Sequence, residues 1–308
     1  MADFPTSPAK PTVYIVGTQP LPEALLKVYP KWARRFDHRS TAIELVNAPS
    51  AADAGGYGRF IEFLRDEYNA VGAVMASQAS SVFEHARQLF DNADDDAELL
   101  GEIGVAVRTP GTLTALAPAK SAARLAYEHT FGSDTAPPEA LIIGASAPAR
   151  ALALALCTSA GKSTPPRVCL TTLDGKSMTE MRARVAALPE EQRPMLRHIE
   201  SQLEHDRLVT LLPPGSLVVN AMGPIDKDTP SPVGSAALFP ENGLAWDLDA
   251  VGISSPFLDK ARQQRQERGL RLADGPVFYK YQWLTAAAAV FGATPDAAEI
   301  KKMLKQIG

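Results

Sequence analysis

Residues 140 to 156, ALIIGASAPARALALAL, constrain the fold more than any other stretch of this chain. Leu141, Ile142 and Ile143 read as a buried parallel strand that runs into Gly144, and a helix opens about three residues later. Strand, glycine and helix in that order make a dinucleotide-binding turn, which needs glycine where backbone approaches pyrophosphate and where helix packs close to strand. Only Gly144 remains here, with Ser146, Ala147 and Pro148 filling the rest. Pro148 suits a first helical turn but removes an amide that could bind phosphate. The scaffold is retained while its usual ligand is in doubt.

A chain of 308 residues, 45% hydrophobic and 21% charged, can bury a full core and is long enough for two domains. A net charge of -4 without a basic run argues against nucleic acid, and no run approaches 18 apolar residues, which argues against a membrane span. The expected partner is a small molecule, with a homodimer left open. MADFPTSPAKPT lacks an apolar leader, and Cys157 and Cys169 sit in apolar stretches as buried free thiols, so the expectation is a cytoplasmic protein.

Strand-like and helix-like segments alternate throughout. Strands are predicted at 12–17, 41–47 and 71–76, helices at 21–36, 57–68 and 80–90, then an acidic helix at 94–102 and a hairpin, VAVRT and LTALA, turning at Gly111. A helix at 123–131 leads to a Pro-rich joint at 133–138. Strands at 140–143, 167–172, 208–212, 216–220 and 244–249 then alternate with helices. The fold class is α/β. An N-terminal α/β substrate-type domain (1–119 plus about 281–308) is followed by a Rossmann-like doubly wound parallel sheet (120–280), and a C-terminal helix packs back on the first domain.

The order and spacing resemble the shikimate and quinate dehydrogenases over nearly the whole chain. VVNAMGP (218–224), AWDLD (245–249), FLDKARQQRQERGL (257–270) and DGPVFYKYQWLTAAAAVFG (274–292) are similar to the family's NATP, its strand ending in Asp, its Ala-rich helix, and its G-x-x-M-L-x-x-Q with a glycine ten residues on. Gln282 and Gly292 keep that interval. EALLKVYPKWA (23–33) and VMASQASSVFEHARQLFD (74–91) resemble the substrate-domain segments.

The resemblance also implies what is missing. The family's carboxylate-binding serine pair aligns with Glu23 and Ala24, and its proton-carrying lysine and aspartate align with Ala79 and Ala119, Lys120 being adjacent. VCLTTLDGKS (168–177) places uncharged Thr171 and Thr172 where an acid would read ribose, and Asp174 lies past the strand in a turn. Gly144, Ser146 and Thr172 are thus a vestigial cofactor site: NAD(P) is not required, though weak binding is compatible with the scaffold. No metal site is expected. His85 and His129 read as structural, His198 and His205 as the solvated face of one charged helix, and Asp94, Asp95 and Asp96 as a helix cap.

The alignment gathers Glu23, Lys27, Gln78, Asn220, Tyr279, Lys280, Tyr281, Gln282 and Trp283 in an interdomain cleft. Tyr281, Gln282, Lys280 and Glu23 are the catalytic candidates, and Lys27, Gln78, Asn220, Tyr279 and Trp283 the substrate-binding ones. The function favoured is a repurposed enzyme that isomerises, dehydrates or cyclises a small, largely apolar cyclic compound without redox chemistry. An NAD(P)-dependent oxidoreductase of a cyclic hydroxy or keto acid, using Lys120, Tyr279 or Tyr281 as proton donor, is one alternative, and a non-catalytic binding protein is another.

Overall fold

A computed structural model describes residues 5–18, 23–49, 53–132, 135–158, 164–223, 230–250 and 255–307. Leu21, Pro22, Ser133, Asp134 and Pro224, which belong to predicted elements and motifs, lie outside the described residues. The chain divides into two compact units, residues 1–122 with 280–308, and residues 123–279.

The first unit contains β1 (Thr12–Gly17), α1 (Glu23–Arg35), β2 (Ala42–Asn47), α2 (Ala54–Asp66), β3 (Ala70–Met75), α3 (Ala79–Ala86), β4 (Asn92–Ala93), α4 (Asp95–Leu100), β5 (Val105–Thr109) and β6 (Thr112–Leu116). Its strands lie in the order β2-β1-β3-β5-β6-β4. The first three are parallel and the β5–β6 hairpin is antiparallel, turning at Gly111 with φ +79. In α1, Leu25, Val28, Tyr29, Trp32 and Ala33 recur at helical spacing, and this buried stripe packs on Val13, Ile15 and Val74. The opposite sheet face is covered by α2 and α3 through Tyr57, Phe60, Ile61, Leu64 and Val82.

Helix α5 (Ala119–Phe131) leads into β7 (Ala140–Ile143), α6 (Ala147–Thr158), β8 (Val168–Thr172), α7 (Gly175–Val185), β9 (Met195–His198), α8 (Gln202–Thr210), β10 (Leu217–Asn220), β11 (Leu244–Asp247), α9 (Pro256–Arg268) and β12 (Arg271–Ala273). These strands form one parallel sheet in the order β12-β11-β10-β7-β8-β9, the doubly wound arrangement whose chain order reverses between β7 and β10. Helix α10 (Pro276–Val290) spans the boundary expected at about 281, and α11 (Ala297–Leu304) closes the chain, with Met303 and Ile307 in the first unit's core.

Two sequence readings are corrected. Residues 208–212 are not a strand, because Leu208, Val209 and Thr210 are the last turn of α8, which buries His205, Asp206 and Val209 at helical spacing. Residues 190–207 are not one charged helix. Met195–His198 form the edge strand β9, paired in parallel with β8, and their exposure explains why no apolar run announces it. His198 is therefore exposed on a strand, while His205 is buried and contacts the Thr171 hydroxyl at 3.1 Å and the Pro232 carbonyl at 3.2 Å.

Candidate functional site

In the first unit, chain order reverses between β1 and β3, so the crevice beyond their carboxyl ends is where such a sheet offers a site. Here Thr18 donates its N–H to Ser77 Oγ at 3.0 Å. Backbone bonds from Met75 N to Gly104 O, Gly104 N to Leu116 O and Ile103 N to Ala79 O draw the ends of β3, β5 and β6 together. Gln78 holds φ +68, a left-handed conformation that a side chain adopts at a cost of about 1–3 kcal/mol. Tyr57 Oη and Ser81 Oγ both donate to its Oε1, at 3.1 and 3.2 Å. With the carbonyl gripped, the amide NH2 remains as a donor.

Lys120 lies at the same end, on the first turn of α5, and its Nζ is 2.5 Å from Asp96 Oδ1, with both side chains about three-quarters buried. Asp94 positions this pair. Its carboxylate caps α4 through Ala97 N at 2.7 Å and also accepts the Ala117 N–H, so α4 and the start of α5 are fixed to each other; burial raises its pKa. The Asp94–Asp96 run is thus both a cap and a source of a lysine partner. The second role escapes a sequence reading because the helix dipole alone explains three acids in a row.

Other predicted residues sort by location. Glu23 and Lys27 pair with each other one turn apart on an exposed face of α1, and the lysine's hydrogen bond lowers the Glu23 pKa. Tyr281 is buried, and Trp283 packs on the first unit's core with its carbonyl accepting the Tyr29 hydroxyl. Trp283 O meets Tyr29 midway along α1 and Phe291 O meets His38 just past its end, so α10 runs back along α1 and its Gln282 and Lys280 lie toward the start of that helix, which follows β1. His85 stacks on Tyr57 with ring centroids 5.8 Å apart.

The second unit has its own crevice beyond β7 and β10. Gly144, φ +117, takes the conformation only glycine takes freely, and a Cβ there would stand 2.1 Å from the Ala221 carbonyl oxygen. This glycine is required by its own neighbouring strand. Ser146 Oγ donates to Ala221 O at 2.7 Å and accepts from Ala149 N at 3.3 Å, so the hydroxyl is spent on the loop and the start of α6. Thr172 Oγ1 accepts the Asp174 N–H, and both Asp174 oxygens cap α7 through Lys176 N and Ser177 N; the Ser177 hydroxyl and these two N–H groups lower that carboxyl's pKa.

Asn220, Asp247 and Asp249 end β10 and β11. Asn220 Nδ2 and Ser255 Oγ donate to Asp247 Oδ2 at 2.9 and 2.5 Å, and Asp247 Oδ1 accepts the N–H groups of Asp249 and Ala250. Asp249 accepts the Gly223 N–H at 2.9 Å and is only 9% exposed; burial, with the Asp247 charge, pushes its carboxyl up to about 7. Tyr279 is pushed up to about 12 by burial and by the fields of Asp249 and Asp247, so its hydroxyl remains protonated. Asp249 is not among the candidates read from the sequence. Its signal there is a second acid just past a fully buried strand, where a parallel sheet presents its ligand-facing residues.

Cys157 and Cys169 are free thiols pushed up to about 12 and 11 by burial, hence unreactive. Among the described residues no group of three His, Cys, Asp or Glu side chains could hold a metal ion, and no helix is long and apolar enough to cross a membrane.

No protein-family model matches the sequence, and no curated protein is similar to it in sequence. Solved structures are similar over nearly the whole chain. Quinate dehydrogenase from Corynebacterium glutamicum in complex with NAD superposes with a TM-score of 0.73 at 15% identity, covering 96% of this chain and 98% of that one. The chain has the shikimate dehydrogenase fold. Shikimate 5-dehydrogenase from Thermus thermophilus, in complex with NADP(H) and shikimate, gives 0.66 at 20% identity over 96% and 99%, and a shikimate dehydrogenase in complex with NADP+ gives 0.70 at 16% over 97% and 94%. At such identities the shared property is the shikimate dehydrogenase fold.

Proposed function

We propose that this chain is an acid–base enzyme on the shikimate dehydrogenase fold, catalysing a non-redox isomerisation, dehydration or cyclisation of a small cyclic compound. The observation that carries this reading is the Lys120–Asp96 pair, which stands at the same end of the first unit's sheet as Ser77 and Gln78. Lys120 moves a proton to or from a ring oxygen or the adjacent carbon, and Asp96 fixes the ammonium in place. The amide NH2 of Gln78 holds a substrate oxygen, and Gln282 and Lys280 approach from α10. Ala79 and Ala119, standing where the resemblance implies a lysine and an aspartate, suit a carbocycle. Glu23 and Lys27, engaged with each other on an exposed face, and Tyr281, which is buried, have no part in it.

The second unit's residues fit a dinucleotide poorly. Thr172 and Asp174 are committed to a turn and a helix cap where ribose would be read, Ser146 is committed to its own loop, and Asp249 adds negative charge to the crevice. Titration with NADPH and NADH, followed by fluorescence, is expected to show no saturable binding in the micromolar range, and shikimate and quinate are expected not to be oxidised. Saturable binding of either nucleotide overturns the non-redox reading.

The second reading is an NAD(P)-dependent oxidoreductase of a cyclic hydroxy or keto acid. It is favoured by the same pair, because a lysine with a carboxylate partner can serve the alcohol oxygen in hydride transfer, and by the fold shared with proteins solved with NAD and NADP+. In both readings Lys120→Met is expected to lower turnover about 10²–10⁴-fold, with a melting temperature that falls because Asp96 loses its partner but with the fold retained. A variant with full activity on the compound found by screening cyclic hydroxy and keto acids would remove Lys120 from the mechanism.

A further inference from the structure

We propose that the crevice beyond β7 and β10 in the second unit binds a compound through a protonated primary amine, held by Asn220 Oδ1 and the Asp249 carboxylate. Asn220 is 4% exposed, and its Oδ1 is a buried acceptor with no hydrogen-bond partner. Its Nδ2 is committed to Asp247, and turning the amide over would set oxygen against carboxylate, so Oδ1 lies on the branch facing away from that acid. A buried acceptor without a donor is unfavourable by about 1–3 kcal/mol unless a ligand or water satisfies it.

Among the described residues three donors at this crevice are already spent. Ser146 Oγ donates to Ala221 O, Ser255 Oγ to Asp247, and Gly223 N to Asp249 Oδ2. Asn220 Oδ1 is left over as an acceptor, and Asp249 brings a carboxylate of which one oxygen accepts from Gly223. Asn220 and Asp247 are register partners on β10 and β11, and Asp249 follows two residues on, so these acceptors stand at the ends of adjacent strands. Asp247 is the charge that acts on Asp249, and the neutral Tyr279 hydroxyl lies in the fields of both acids. A pyrophosphate or carboxylate would be repelled. An ammonium group offers three donors and a charge opposite to that of these acids, and Tyr279 supplies an aromatic wall for the attached ring.

The site differs from the Lys120 site, and each proposal can fail without the other. Cyclohexylamine is the probe and cyclohexanol, nearly isosteric and uncharged, its control. Cyclohexylamine is expected to raise the melting temperature of the full chain at pH 7 and cyclohexanol to leave it unchanged. Asp249→Asn, which retains an acceptor for Gly223, is expected to weaken amine affinity at least tenfold while folding normally. Calorimetric titration in two buffers of different ionisation enthalpy gives a second readout. Because Asp249 is about half protonated at pH 7, binding is expected to release roughly half a proton from it. Equal shifts by amine and alcohol, no shift by either, or unchanged affinity and proton release in Asp249→Asn would each overturn the proposal.

Discussion

Gly144→Ala is expected to destabilise the second unit by about 3 kcal/mol or more. Two costs add. A side chain at φ +117 is strained by about 1–3 kcal/mol, and the new methyl would lie 2.1 Å from Ala221 O and 2.6 Å from Met222 Cα, backbone atoms that can move only by shifting the end of β10. Ala221 N donates to Ile143 O and Ser146 Oγ to Ala221 O, so such a shift also breaks the bonds that close the loop. Gly111→Ala is the control: φ is +79, but nothing lies within 4 Å of the added carbon, so the cost is about 1–2 kcal/mol from backbone strain alone. Thermal melts should therefore show a fall of roughly 6–12 °C or more for Gly144→Ala and a clearly smaller one for Gly111→Ala. Equal falls would mean that the Ala221 approach does not hold this glycine in place.

Gly144 is legible as a strand-to-helix turn, but local pattern credits its glycine to a pyrophosphate, whereas contact with Ala221, distant in sequence, accounts for it. The main elements are well marked where one face is buried, as with Leu25, Val28, Trp32 and Ala33 on α1 or the continuous apolar run of β7. Local pattern fails at β9, an edge strand whose side chains are largely exposed, and at β12, an edge strand of only three residues, too short to show an alternation. The candidate site follows the same rule. Gln78, Asn220 and Lys120 stand out in the sequence, yet the partners that give them chemistry do not. Asp96 and Asp249 reach Lys120 and Gly223 across 24 and 26 residues, and nothing in local spacing encodes such a contact.

Asp249→Asn is expected to melt higher than the parent at pH 8, with a gap that closes as pH falls. In the folded chain this carboxyl titrates near 7, against an ordinary value of 3.8, because burial and the Asp247 charge disfavour its ionised form. The folded state therefore binds a proton more tightly than the unfolded state, and between about pH 4 and 7 the parent loses stability as pH rises, reaching a plateau above 7. A separation of about 3 pKa units corresponds to about 4 kcal/mol, an upper figure because Asp249 keeps some contact with solvent. Asparagine has no charge to bury and can still accept from Gly223 N, so the variant escapes this loss. Its melting temperature should exceed the parent's by roughly 8 °C at pH 8 and match it near pH 4. A gap that instead widens toward acid would show Asp249 to be stabilised as an anion. At pH 8 cyclohexylamine should narrow the gap by raising the parent alone, because an ammonium group beside Asp249 offsets the burial of its charge and the asparagine variant has no such charge to offset.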